Sequence, residues 1–565
     1  MAYVITQRCV NDTSCIAECP VDCIRPTPDQ REFSDAEMLY IDPDTCINCG
    51  ACADACPVDA IHSEDELVTS LRQFREINSG YFRLHPLQPR PPAVQRAAAA
   101  VEVVEHPPLR VAIVGSGPAA GYAAAALLAS NRTEVDIVEK LPTPGGLIRA
   151  GVAPDHQQTK RMADTLQFAP DTPALRCHLN VEVGRHVNHD ELLQHFHAVI
   201  YAVGAAADRR LDIPGEELEG CIAASEFVGW YNGHPDHADR RFDLSGDRAV
   251  IVGNGNVALD IARVLTADPD HLAQTDIADH ALAALRQSMI QEVVVLGRRG
   301  VADAAYTASE FHALRFLADI DIDVDRRDLA GEVGSLPTSV RAVGNYGLNL
   351  KVQLADEYAR RRPTPGHKRI LFRYLTSPVA ILGTHHTVAL RVVRNRLVEN
   401  QGRRTACPTG EFAAIDTKLV LRSVGYRSDP IPAVPFDDSA MIVPNDSGRV
   451  RVPGENTPRT YVTGWVKRGP SGYIGTNKQC ARETVSTLLT DFLTGRIPEP
   501  RSSRDEFHTL LQRRQPDLMD RRDWRLIDSL ERDAGTAAAR PRVKFCAVDD
   551  IISAVKKHHG DLSNP

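Results

Sequence analysis

Eight of the 13 cysteines fall between Cys9 and Cys56. The second half of this cluster reads Cys46-Ile-Asn-Cys49-Gly-Ala-Cys52-Ala-Asp-Ala-Cys56-Pro57, a C-x2-C-x2-C-x3-C-P run. Three thiolates this close on a tight loop wrap three corners of an iron–sulfur cube, and the distant cysteine before proline serves the other cluster of a pair. The first half, Cys9-Val-Asn-Asp12-Thr-Ser-Cys15-Ile-Ala-Glu-Cys19-Pro20, keeps the frame but places Asp12 at the second cysteine position. The duplication continues as Pro-Val-Asp-Cys-Ile (20–24) against Pro-Val-Asp-Ala-Ile (57–61). The crossing rule assigns Cys46, Cys49, Cys52 and Cys19 to one [4Fe–4S] cluster, and Cys9, Cys15 and Cys56 to the other. Oxygen is a harder, more exchangeable iron ligand than thiolate. With Asp12 at its fourth corner, the second site is expected to hold a [3Fe–4S] or a labile [4Fe–4S] cluster; the alternative is that Asp12 is a solvated turn residue. Cys23 has no vacant ligand position and reads as a buried, unligated thiol beside the four-iron cluster.

Two glycine turns carry a different chemistry. The apolar run Leu109 to Val114 stops at Gly115-Ser116-Gly117, and an Ala-rich helical pattern follows. Glycines there let backbone approach a pyrophosphate, and a helix N-terminus supplies free N–H groups and partial positive charge. Glu139 ends the next apolar run, where an acidic residue meets a ribose hydroxyl. A second unit follows at Gly253-Asn254-Gly255-Asn256-Val257. Two such units in one chain suit a flavoprotein that binds FAD first and a nicotinamide nucleotide second. The strand pattern after the second unit ends in Gly297-Arg298-Arg299-Gly300. Paired guanidinium groups suit a 2′-phosphate, so NADPH is expected over NADH. Arg209, after the buried run ending at Gly204, is a further candidate for a nucleotide phosphate. A helical pattern from about Asn477 to Leu493 follows the Gly-, Trp- and Lys/Arg-containing segment 461–476.

These motifs need elements to hold them. At 565 residues the chain is long enough for three or four domains. Apolar residues make up 43% and charged residues 25%, ordinary for a globular protein. No uninterrupted apolar run reaches the length of a membrane span, and the N-terminus lacks a signal-peptide pattern, so a cytoplasmic protein without membrane association is expected. Residues 1–66 carry 14 Asp and Glu against 3 Arg and no Lys, a net of −11 in a chain whose total is −9. Such an acidic head argues against nucleic-acid binding. It serves either solubility or electrostatic docking on a basic patch, with Lys467 and Arg468 as candidates.

The expected architecture is an α+β ferredoxin-type head followed by an α/β flavoprotein with two dinucleotide-binding (Rossmann-like) domains. The expected boundaries are 1–66 for the two-cluster head, 67–108 for a linker and 109–205 for the first part of the FAD domain. Residues 206–455 then form the NADP domain, and 456–565 the second part of the FAD domain with a C-terminal extension. Within the linker, helices are expected over Val68 to Ile77 and Ala93 to Val104. Residues 320–350 and 360–410 read as irregular and Arg-rich.

Residues 1–66 resemble the seven-iron bacterial ferredoxins. GSGPA, PGGLIRAGVAPDH, GNGNVALDIARVL, GRRG with Glu310 downstream, and GWVKRGPSGYIGT resemble the adrenodoxin-reductase-type ferredoxin–NADP reductases. The whole chain is similar to bacterial fusions of the two. The resemblance implies that Ala119, Glu139, Leu147, Val183, Trp465, Gly472, Tyr473 and Ile474 contact FAD. It also implies that Arg209, Asn254, Gly255, Asn256, Val257, Arg298, Arg299, Glu310 and Gly472 contact NADP, and that His156 lies near the nicotinamide–flavin contact. The family often carries a second Glu three residues after the one matching Glu310; here that position is Ala313. The implied activity is electron transfer between NADPH and ferredoxin clusters through FAD, with the head as internal carrier. An external ferredoxin, or a downstream redox enzyme such as a cytochrome P450 system, would be the partner. Two other readings stay open: an iron–sulfur redox sensor with regulatory nucleotide sites, and an electron-input subunit like the small subunit of glutamate synthase.

Overall fold

The computed structural model describes residues 2–34, 36–87, 107–130, 132–166, 172–329, 346–400, 403–451 and 459–563. The chain forms two compact units. The first comprises Met1–Gly146, Arg161–Ala205 and Ser428–Arg525; the second comprises Leu147–Lys160, Ala206–Arg427 and Leu526–Pro565. Among the described residues no helix is long and apolar enough to cross a membrane.

In the first unit the head is built on two short antiparallel pairs, Tyr3–Ile5 with Ile61–Ser63 and Ile24–Arg25 with Tyr40–Ile41. The internal duplication extends to the backbone. Asn11 and Asn48 are left-handed at φ 56° and 57°, and Asp22 and Asp59 at 49° and 51°. Thr13 and Gly50 follow the same pattern at 64° and 80°. Asp12 therefore occupies the same place in its loop as Cys49 does in the other.

A helix at Phe74–Leu84 belongs to this head. Its buried Asn78 donates through Nδ2 to the Ile5 carbonyl at 2.8 Å, and its Oδ1 accepts from the amides of Ile5 at 3.2 Å and Ile41 at 2.9 Å. Tyr81 stacks on Tyr40 with ring centroids 4.2 Å apart. The expected head boundary at 66 and the expected helix over Val68 to Ile77 are thus corrected. Val68 is 59% exposed, and the apolar stripe that buries the helix begins at Phe74. The second expected linker helix, Ala93 to Val104, lies outside the described residues.

The rest of the first unit is a sheet with five parallel strands at its centre. Their order is Thr460–Val462, Ala198–Tyr201, Leu109–Val114, Thr133–Glu139, Leu175–Leu179. Leu109–Val114 is central and buried on both faces, which is why it reads as a continuous apolar run. It feeds the helix Pro118–Leu128, whose proline fills a first-turn position that needs no N–H.

The second unit contains a six-stranded, all-parallel sheet. Its order is Cys221–Ala223, Leu419–Arg422, Arg248–Val252, Glu292–Leu296, Lys368–Arg373, Ile320–Val324. The region expected to be irregular holds a three-stranded antiparallel sheet, Thr376–Gly383, Thr387–Asn400 and Arg403–Asp416. Leu390 and Val392 face inward, whereas Arg391 lies over the exposed ring of Phe412, 4.8 Å from its centroid. Arginines on the open face disguised the strand pattern.

Two further boundaries are corrected. The chain returns to the first unit at Ser428 rather than 456, and the tail from Leu526 packs with the second unit rather than completing the FAD domain. The tail is held by charge. Fully buried Glu531 receives Arg149 at 2.5 Å and Arg542 at 2.9 Å.

Candidate functional site

Cys19, Cys46, Cys49 and Cys52 line one pocket, with Tyr3, Ile41 and Ile47 among its apolar walls. Cys15 and Cys52 ride on one-turn helices, Ser14–Glu18 and Ala51–Asp54, and the other thiols sit in the flanking loops. The four thiols that the crossing rule grouped are brought together, and four converging sulfurs in an apolar cavity fit an iron–sulfur cube. Cys23 is buried in the same wall, its Sγ 3.4 Å from that of Cys19.

The remaining thiols form a second group. Burial pushes the Cys9 thiol up to about 12, with the nearby Cys56 and Asp12 adding to the shift. Burial also raises Cys15 well above its ordinary value, followed by the charges of Cys9, Asp12 and Cys56. A cationic iron core at this place would draw these buried thiols into the thiolate form. The amides of Leu39 and Ala60 point at the sulfurs of Cys9 and Cys56, at 3.5 and 3.3 Å. Asp12 is only 9% exposed, so it is not a solvated turn residue. Its carboxylate accepts from the amide of Ser14 at 3.3 Å and from the Ser14 hydroxyl.

The first glycine turn is a backbone-to-backbone device. Gly115 has φ +101°, and a Cβ there would lie 2.7 Å from the Ala202 carbonyl oxygen. A Cβ on Gly146 would lie 2.9 Å from Cα of Gly117. Glu139 is buried; its carboxylate accepts from the Ser116 hydroxyl at 2.6 Å and the Leu141 amide at 2.9 Å. Burial raises its affinity for a proton despite these bonds. Ala119 lies under Gly464, where a Cβ would approach to 2.7 Å. Trp465 follows, and its indole N–H donates to the Ser471 carbonyl at 3.2 Å. Gly472 (φ +80°), Tyr473 and Ile474 form the turn before the helix Thr476–Leu493. The Tyr473 amide donates to Thr476 Oγ1 at 3.0 Å, and Asn477 Nδ2 to the Ile474 carbonyl at 3.1 Å. Val183 bridges to Val187. Leu147 opens a short helix, 39% exposed, and belongs to the second unit.

Lys467 and Arg468 do not form a docking patch. Lys467 is buried, donating to Glu483 at 2.5 Å and Thr484 at 3.1 Å. Arg468 donates to Ser471 at 2.5 Å and Asn477 at 2.9 Å. The basic residue that meets the head is Lys478, one turn into the next helix. Its Nζ donates to the Asp12 carbonyl at 2.8 Å and to Ser14 Oγ at 3.2 Å.

In the second unit, Gly253 (φ +113°) repeats the tight turn, and a Cβ there would strike the Ser423 carbonyl at 2.0 Å. Gly255 caps the helix Asn256–Thr266, which buries Ala258 and leaves Val257 half-buried. The Asn254 carbonyl accepts from Tyr306 at 2.9 Å, and Asn256 Oδ1 from Thr307 at 2.8 Å. Arg298 and Arg209 are exposed, and among the described residues neither guanidinium has a partner. Arg299 pairs with Asp303 at 3.5 Å.

His156 and Glu310 meet around a residue the sequence did not single out. Arg263 is buried and donates to His156 Nε2 at 2.7 Å, Asp260 at 2.7 Å, Asp155 at 2.8 Å and Glu310 at 3.4 Å. The signal was present: a lone arginine within the apolar helix pattern, three residues after Asp260.

Comparison with known proteins agrees with this arrangement. Residues 39–62 match the "4Fe-4S binding domain" family and residues 109–296 the "Pyridine nucleotide-disulphide oxidoreductase" family. A "Probable ferredoxin/ferredoxin--NADP reductase" of Mycobacterium tuberculosis is 46% identical over 560 residues, covering 98% of this chain and 95% of that one. "NADPH:adrenodoxin oxidoreductase, mitochondrial" of Arabidopsis thaliana is 37% identical over 464 residues, covering 79% of this chain and 95% of that one. The solved structure "Mycobacterium tuberculosis FprA in complex with NADPH" superposes with a TM-score of 0.75 at 45% identity, over 80% of this chain and all of that one. With a cysteine-rich head and two glycine-turn nucleotide sites in one chain, the protein belongs to the ferredoxin/ferredoxin–NADP reductase family.

Proposed function

We propose that this protein oxidises NADPH and passes the electrons through FAD to the clusters of its own head, and from there to an acceptor protein. The observation that carries the reading is the joining, in one chain, of two glycine-turn nucleotide sites to a cavity lined by four thiols. FAD, when bound, takes a hydride as an electron pair and releases electrons singly, the form in which iron–sulfur clusters accept them.

The chain's residues bind and orient. Gly115 and Gly117 let a pyrophosphate approach the N-terminus of Pro118–Leu128, and Glu139 closes the adenosine end. Ala119, Leu147, Val183, Trp465, Gly472, Tyr473 and Ile474 complete the FAD contacts. Asn254, Gly255, Asn256 and Val257 receive the NADP pyrophosphate, and Glu310 and Gly472 its nicotinamide end. Arg209, Arg298 and Arg299 receive its phosphates, with the unpartnered fork of Arg298 suited to the 2′-phosphate. His156, held by Arg263, positions the nicotinamide against the flavin.

Cys19, Cys46, Cys49 and Cys52 hold a [4Fe–4S] cluster. Cys9, Cys15 and Cys56, with Asp12, hold a [3Fe–4S] or labile [4Fe–4S] cluster. The external acceptor is a ferredoxin or a redox enzyme such as a cytochrome P450 system, and the protein works in the cytoplasm. The test is anaerobic stopped-flow mixing of the holoprotein with NADPH, following flavin and cluster absorbance together. Flavin bleaching followed by cluster reduction is expected; absence of flavin bleaching would refute the reductase reading.

A further inference from the structure

Among the described residues, the head meets the rest of the first unit along a seam of specific residues. The Gly475 amide donates to the Val10 carbonyl at 2.7 Å. A Cβ on Gly475 would lie 2.1 to 2.2 Å from backbone atoms of Asn11 and Asp12, so the approach admits only glycine. One turn on, Lys478 Nζ binds the Asp12 carbonyl and Ser14 Oγ, and lies 3.8 Å from Asp12 Oδ2. Tyr122, on the helix that follows the first glycine turn, has a buried hydroxyl without a partner among the described residues, and Asp12 is the charge that acts on it. The hydrogen bonds from Gly475 and Lys478 all end on the loop that carries Cys9, Asp12 and Cys15. The other thiol group faces elsewhere: Cys49 is exposed and Ile47 is 59% exposed.

We propose that the loop from Cys9 to Cys15 is the docking face of the head on the flavin-binding unit. Gly475 and Lys478 hold it there. The Cys9/Cys15/Cys56 site is then the entry for electrons, and the Cys19/Cys46/Cys49/Cys52 site, with Ile47 and Cys49 at the surface, is the exit toward an acceptor. This ordering rests on the reductase reading above. The electrons balance: NADPH yields NADP+, a proton released to water and two electrons, and each cluster takes one. Lys478 is a positioning residue. It places a positive charge against the acidic head at this seam, and fixed proximity governs how readily an electron crosses.

The experiment uses full-length holoprotein carrying Lys478→Glu, Lys478→Ala or Lys478→Arg. Anaerobic stopped-flow with NADPH follows flavin and clusters, freeze-quench EPR follows which cluster is reduced first, and hydrogen–deuterium exchange reports on residues 9–15. In the wild type the Cys9/Cys15/Cys56 cluster should be reduced first. Removing a charge-assisted hydrogen bond should slow cluster reduction about tenfold in Lys478→Glu, with flavin bleaching unchanged. Exchange at residues 9–15 should rise, and Lys478→Arg should restore both. Unchanged exchange and unchanged cluster reduction in Lys478→Glu, or reduction of the four-thiolate cluster first, would overturn the proposal. If NADPH fails to bleach the wild-type flavin, the reductase reading falls instead, and the exchange measurement still decides whether Lys478 holds the loop.

Discussion

Nη2 of Arg263 donates to Nε2 of His156 across 2.7 Å, and this contact fixes how the imidazole is used. A guanidinium carries only donors, so Nε2 is the accepting nitrogen and the ring proton sits on Nδ1. The same guanidinium binds Asp155, Asp260 and Glu310. Burial pushes the Asp155 carboxyl up, but the charge and hydrogen bonds of Arg263 outweigh it and hold it well below the usual range. The stabilisation from Asp155 is therefore complete above about pH 4 and fades only in stronger acid. Arg263→Leu strands three acids and should cost about 3–5 kcal/mol of stability. Arg263→Lys keeps the charge without the fork and should fold, yet slow flavin reduction by NADPH. Denaturant unfolding and single-turnover flavin bleaching check both; a Lys variant with wild-type bleaching would show that His156 needs no such restraint.

Arg298 and Arg299 are adjacent but not equivalent. Arg298 has no partner among the described residues, whereas Arg299 is engaged with Asp303 at 3.5 Å. A hydrogen-bonded charge on a 2′-phosphate is worth about 1.5–3 kcal/mol. Arg298→Ala should therefore raise the KM for NADPH by roughly ten- to hundredfold while leaving NADH kinetics unchanged. Arg299→Ala should have a smaller effect. Equal losses with NADPH and NADH would remove Arg298 from the 2′-phosphate site.

What the sequence made legible was local. Cysteine spacing, glycine turns and apolar strands are each written within a few residues, and they lead to the thiol cavity, the turns at Gly115 and Gly253 and both parallel sheets. What it hid depends on contacts between distant segments. Lys467 and Arg468 look like an exposed basic pair, yet Glu483, Thr484, Asn477 and the Ser471 carbonyl draw them inward. Lys478 sits inside an ordinary helix pattern, and its partner Asp12 lies 466 residues away. The helix at Phe74–Leu84 joins the head because Asn78 satisfies two strands at once, which no periodicity announces. The sheet through Thr387–Asn400 was hidden because arginines occupy its open face.

Asp12 and Cys49 share a loop geometry, with matched left-handed residues on either side: Asn11 and Thr13 around one, Asn48 and Gly50 around the other. A cysteine at position 12 therefore inherits a backbone already shaped to present a thiolate. Asp12→Cys should convert the proposed Cys9/Cys15/Cys56 site to a stable [4Fe–4S] cluster, so that the three-iron EPR signal expected of the oxidised wild type disappears. The variant also loses the carboxylate near Lys478 but keeps the backbone carbonyl that Lys478 binds, so docking should survive. Iron content and EPR of the oxidised protein decide; an unchanged signal would mean that Asp12 does not occupy a ligand corner.

Two lysines in the second unit share one carboxylate. Lys160 and Lys544 each lie 2.8 Å from Asp276 Oδ2, and Lys160 also donates to Asn232 at 2.7 Å. Burial lowers Lys160 to about 7 from its ordinary 10.5, with Asp276 opposing the shift and Lys544 adding to it. Between those values the unfolded chain holds the proton and the folded protein does not. Stability therefore rises with pH across the window from about 7 to about 10, and is flat in this group's contribution below it. Lys160→Met keeps an apolar stem and leaves Lys544 and Asp276 as a single pair, so it should remove that rise. The thermal unfolding midpoint of the wild type should gain on that of Lys160→Met as the pH is raised from 7 to 10. Parallel curves would mean that Lys160 stays protonated throughout, with Asp276 and Asn232 together sufficient to hold its charge.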